Sequence, residues 1–235
     1  MNDQEILTVY MAQSENVRYL SKVIDGTQRD INFYLRKSND FQVKVKTKIL
    51  SLLYSAWSEA QFTQITFTEK GFMYSEISSI KAHKERYGIT EGWKYMIKKA
   101  LEKVGDSNTN RDLGRRLETL LSLVKDYIEE PSILRNKIAH GQWVNALNRD
   151  NTAVNDVLNK SLDELDPVEI GKRVEIHRFM GFIVRDLVQS PKAGFHKHYW
   201  TNIVNLENYL KETESWSLES KKLALSKKPI KYKSN

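Results

Sequence analysis

The chain has 235 residues, a formal net charge of +7, 40% hydrophobic residues and no cysteine. That length builds one large domain or two small ones around a real core, and four Pro and ten Gly are too few for a disordered or fibrous chain. Without Cys there is neither a disulfide framework nor a thiolate metal site, which suits a reducing compartment.

The opening Met1-Asn2-Asp3-Gln4-Glu5 has no basic stretch and no apolar stretch, so it does not read as a secretion signal. Apolar runs such as Ile49 to Tyr54, interrupted by Ser51, are far too short to span a bilayer. The expectation is a cytoplasmic protein with no membrane association. Its charge is unevenly spread. Residues 217–235 carry six Lys against Glu219, leaving only +2 on the first 216 residues. We therefore divide the chain into a helical domain over 1–216 and a basic, solvated tail over 217–235.

Helical spacing dominates. Ile6, Tyr10, Val17, Leu20 and Ile24 form one stripe, which Gly26-Thr27 is expected to break or bend before Ile31 and Tyr34 resume it. A second helix is predicted from about Phe41 to Gln64, burying Val45, Ile49, Leu52, Leu53, Trp57 and Ala60. The alternating Thr63 to Phe67 reads as its end and the following loop. A third helix carries Ile77, Ile80 and Tyr87 and closes near Gly88. Thr90 is placed to cap a fourth, whose stripe is Trp93, Ile97, Ala100, Leu101 and Val104. The fifth repeats Leu113, Leu117, Leu120, Leu121, Val124 and Ile128, and is expected to stop near Glu130-Pro131. Pro131 then suits the first turn of a new, short segment. Beyond Trp143 the stripe vanishes, and the turn Asn148-Arg149-Asp150-Asn151 allows an irregular or β-hairpin insertion. Helical spacing returns from Pro167 to Leu187, and a last helix covers about Tyr199 to Leu210. The predicted fold is all-α: a single bundle of about seven to eight helices.

The short segment holds the chain's most reactive pairing, Arg135-Asn136-Lys137-Ile138-Ala139-His140-Gly141. Following a long amphipathic helix, this resembles the Arg, four residues, His motif of the HEPN superfamily, small all-helical domains many of which are ribonucleases. An unbroken α-helix would turn Arg135 and His140 apart by about 140°, so the helix must end or bend near His140. Gly141 is the residue type that permits such an end. The chemistry suits RNA cleavage by internal transfer. His140 can act as base or acid near neutral pH, and Arg135 can hold the phosphate with a permanent charge. Asn136 is a candidate substrate or Arg135 contact, with Gln142 and Trp143 as further substrate-binding candidates, Trp143 by stacking on a base. No metal and no cofactor is required.

One chain supplies one such His, whereas acid and base are two roles. The resemblance implies a homodimer whose facing motifs form a composite cleft. It also implies an RNA substrate, a setting in anti-phage defence, toxin action or stress response, and a regulatory or antitoxin partner. One departure stands out. HEPN toxins silenced by a nucleotidyltransferase carry a Tyr two residues after the His, and here that position is Gln142.

Plainer roles compete. Arg135 and His140 also suit a salt bridge and a helix cap in a non-catalytic HEPN-like module binding a partner protein or nucleotide, and Trp143 suits a core position. The Lys-rich tail alone suggests an RNA-binding accessory. Glu129 and Glu130 are available to position Arg135, but acidic residues there more often serve a helix start. His177 lies on an apolar stripe, as a satisfied core His would. Arg111, Arg115 and Arg116 read as a solvated face. His196-Lys197-His198 lacks a nearby acidic residue after Asp186, which argues against a metal.

Overall fold

The structure, a computed structural model, describes residues 1–227, and every regular element among them is a helix. Helix α1 (Asp3–Arg36) starts at Asn2, whose side chain accepts from the Glu5 N–H while Glu5 returns the bond, a capping box. It runs unbroken through Gly26-Thr27, against expectation. A helical Gly costs only about 1 kcal/mol, and Thr27 is buried with its hydroxyl bonded back to the Val23 carbonyl (2.9 Å).

Helix α2 (Asp40–Thr66) pairs with α1 and is the centre of the molecule. Its buried residues are Val43, Thr47, Leu50, Ser51, Tyr54, Ser55, Trp57, Ser58, Phe62, Ile65 and Thr66, so of the predicted stripe only Trp57 is fully buried. The cause is position: α2 has neighbours on several sides, and small Ser and Thr residues allow them close. An amphipathic pattern marks a surface helix, which α2 is not.

Helices α3 (Tyr74–Tyr87) and α4 (Ile89–Glu102) meet at Gly88, whose φ of 90° lets it end one and begin the other. The cap expected at Thr90 is thus supplied by Gly88. Next, α5 (Arg111–Val124) passes through a π-helical turn, Lys125–Glu129, directly into α6 (Glu130–Ala139). The break expected at Pro131 is absent. The wide turn gives the ring room where an α-ladder would press it against the Tyr127 carbonyl.

After the motif comes no hairpin. A single antiparallel bridge, Leu147 to Val154, closes the loop, and Asn148 satisfies the turn locally through Thr152 (2.9 Å). Helices α7 (Asp156–Asp163), α8 (Pro167–Gln189), α9 (Gly194–Thr213) and α10 (Leu218–Ser226) follow. Counting α5 to α6 as one rod gives nine among the described residues, above the seven to eight expected. No helix among them is long and apolar enough to cross a membrane.

The largest core joins α3, α4, α5, α8 and α9 to the C-terminal half of α2. A second core packs Ile24, Ile31, Leu50, Tyr54, Trp57 and Val174 with Leu225 of α10. Within the basic tail, residues 218–226 form a capped helix that packs Leu225 on the body, and 228–235 lie outside the described residues.

At the centre His177 is fully buried among Trp57, Trp93 and Tyr54, with its Nδ1 3.2 Å from the Tyr54 hydroxyl. Its Nε2 has no partner, so the expected core His is only half satisfied. Burial alone lowers its pKa from 6.5 to about 3.

Two predictions follow from the core. Leu225→Ala should cost about 2 kcal/mol in urea unfolding, where a solvated tail would show no change. For His177 the unfolded chain takes the proton first, so its contribution is whole above pH 6.5 and is lost progressively as pH falls toward 3. Between pH 6.5 and 5 stability should fall by up to about 1.4 kcal/mol per pH unit, and a His177→Asn variant should lack that slope.

Candidate functional site

The end of α6 is built by its last residues. Gly141 has a φ of 80°, its N–H donates to the Ile138 carbonyl (3.1 Å), and the Gln142 N–H donates to the Lys137 carbonyl (2.9 Å). This is a Schellman closure. It halts the helix at His140, the cap residue, where the sequence requires it to stop. His140 and Asn136 are both exposed.

Arg135 is three-quarters buried, its side chain 25% exposed, and forms an ion pair with Glu59 of α2. Its Nε is buried with no partner. The nearer acidic candidates serve elsewhere: Glu129 accepts from Lys94 at 3.1 Å, and Glu130 is exposed at the helix start. Glu59 was not anticipated. The available signal was a carboxylate amid buried Trp57, Ser58 and Phe62, where a charge needs a counter-charge. A narrow cleft between Ser55, Ser58, Glu59, Ser132 and Arg135 has room for about one water, roughly 10 Å³.

The following loop is tied down. Gln142 Oε1 accepts from the Leu147 N–H (2.8 Å), and Lys137 Nζ donates to the Leu147 carbonyl (2.6 Å). Trp143 packs on the small core of Ile138, Ala146 and Leu162, and its carbonyl accepts from Lys48. Gln142 and Trp143, expected to face substrate, are thus employed in holding the loop. The structure brings Arg135 together with Glu59, whereas Asn136 and His140 are exposed further along the same helix end, with no contact between His140 and that ion pair.

Other candidates resolve separately. Arg116 is buried, not solvated: it pairs with Asp112 (2.7 Å) and lies 4.6 Å from the centre of the Tyr199 ring. His196 lies beside Arg116 at 3.4 Å, whereas His198 pairs with Asp186 at 2.9 Å, the residue that chain distance had set aside. Among the described residues no three His, Asp or Glu side chains are grouped to hold a metal. Clefts of about 530, 510 and 500 Å³ lie between the π-turn and helices α8 and α9, beside α8 and α10, and beside the start of α1, and a smaller one of about 380 Å³ is lined by Ile133 and Leu134 of α6; Arg135 and His140 line none of them.

Searches with the chain match no protein-family model, no curated protein and no solved structure.

Glu59→Gln should strand the Arg135 charge. We expect a loss of roughly 1–3 kcal/mol in urea unfolding, part of which returns in Glu59→Gln/Arg135→Met because removing both partners costs less than removing one. A double variant no more stable than the single one would show that the pair carries no such coupling.

Proposed function

We propose that the protein is a metal-independent endoribonuclease of HEPN type, acting as a homodimer. The observation that carries this reading is that one short helix, closed by Gly141, bears both a guanidinium held by Glu59, that of Arg135, and an exposed imidazole, that of His140.

The reaction is an internal transfer. The ribose 2′ oxygen bonds to phosphorus, and the bond from phosphorus to the 5′ oxygen breaks. One His140 accepts the 2′-OH proton, and a second, from the other copy, protonates the departing oxygen. Arg135 steadies the extra charge on the phosphoryl oxygens, with Asn136 beside it. That His140 lies on open surface, away from the larger clefts, suits a site completed by a second copy. Glu59 holds Arg135 ready and competes with phosphate for it, so substrate must share or displace that carboxylate.

A role in anti-phage defence, toxin action or stress response accompanies this reading, with a partner that restrains the enzyme. Restraint by modification two residues after His140 does not apply, because Gln142 stands there and is bonded to Leu147. The neutralisation of Arg135 by Glu59 is the one observation that favours a second reading, a non-catalytic module of the same type binding a partner protein or nucleotide.

Purified protein should cleave RNA in excess EDTA, leaving 2′,3′-cyclic phosphate ends. Arg135→Ala and His140→Ala should each lower the rate by roughly 10²–10⁴-fold. Cleavage that survives both substitutions would place the activity elsewhere.

A further inference from the structure

Pro131 lies inside the rod that carries Arg135, and it has no N–H to donate. In an α-ladder its donor would serve the Tyr127 carbonyl, four residues back. That carbonyl is served from another helix, since the Tyr54 hydroxyl of α2 donates to it. Tyr54 is 2% exposed, and burial raises the phenol pKa, so the hydroxyl keeps its proton for this bond. With that proton spent, the 3.2 Å contact to His177 requires Nδ1–H of His177 to donate to the Tyr54 oxygen. His177 is fully enclosed by Trp57 and Trp93, which fix its ring.

The same turn sets the phase of the rod. The Glu130 N–H reaches the Lys125 carbonyl, so the π-turn absorbs one extra residue. One extra residue sets everything beyond it back by about 100° around the axis. Arg135 lies beyond the turn, and in that phase it pairs with Glu59.

We infer that Tyr54, braced by His177, is the positioning residue of the candidate site: its hydroxyl replaces the hydrogen bond that Pro131 removes, holds the π-turn, and so phases Arg135 onto Glu59. The role of Arg135 in cleavage rests on the ribonuclease reading; the positioning does not. Both arms of the test are therefore run without RNA.

The first arm is a double-variant cycle. Tyr54→Phe should lower the thermal midpoint by roughly 3–8 °C. In a Pro131→Ala background the new backbone N–H serves the Tyr127 carbonyl, so the same substitution should cost no more than half that shift. If Tyr54→Phe does not fold alone, recovery of folding in the double variant is the same coupling. Equal shifts in both backgrounds, or a double variant no better folded than Tyr54→Phe, overturn the inference.

The second arm reads the site in the Tyr54→Phe protein with Pro131 in place, kept folded by low temperature and a stabilising osmolyte where the variant requires it. The Arg135 Nε–H resonance, protected in the wild type by burial, should broaden or vanish in that variant well below its melting point. A merely structural loss would lower the midpoint and leave the resonance in place, and its retention overturns the positioning role.

Discussion

The molecule depends on how a long rod with a proline in its interior is kept whole. A helix broken at Pro131 would leave the motif on an independent short segment, too short to hold its own conformation in water. The π-turn lets the rod continue, so the large core that fixes α5 also fixes the direction of α6. Two side chains of α2 meet the rod, one on either side of Pro131: Tyr54 at Tyr127 and Glu59 at Arg135. Fold and candidate site therefore share one interface.

That interface explains why the centre of the protein is unusually polar. Tyr54, Ser55, Ser58 and His177 are buried where aliphatic residues would pack with no hydrogen-bonding demand. The Ser58 hydroxyl and His177 Nε2, with both central indole nitrogens, lack partners, and each such group has a desolvation cost. An apolar core could support the rod equally well, but it could not serve a carbonyl or hold a guanidinium. Polar residues here trade stability for a fixed position of the motif.

Much of the fold was legible in the sequence because most helices bury a single face. The stripes of α4, α5 and α8 are read directly from residue spacing, and Gly88 and Gly141 mark ends that only a positive φ allows. The spacing misleads where a helix is enclosed, as in α2. It also misleads where a breaker is accommodated, at Gly26 and at Pro131. Local chemistry cannot reveal that room is made from a distant element. The same limit applies to the site. Arg135 and His140 stand out by type and spacing, whereas Glu59 lies 76 residues away in the chain from Arg135 and becomes visible only through packing. The core position open to Trp143 is legible from its residue type, whereas the bond from Gln142 to the Leu147 N–H depends on how the loop closes.

The central claim is that two exposed helix ends, each with one Arg135 and one His140, make one cleaving site. The most direct measurement is the initial rate of RNA cleavage against protein concentration, read beside molecular mass from light scattering. A rate that rises with the square of concentration while the protein is mostly monomeric, and linearly once it is dimeric, is the predicted result. A monodisperse monomer that cleaves at full rate, or a folded dimer that cleaves no RNA at any concentration, would contradict it.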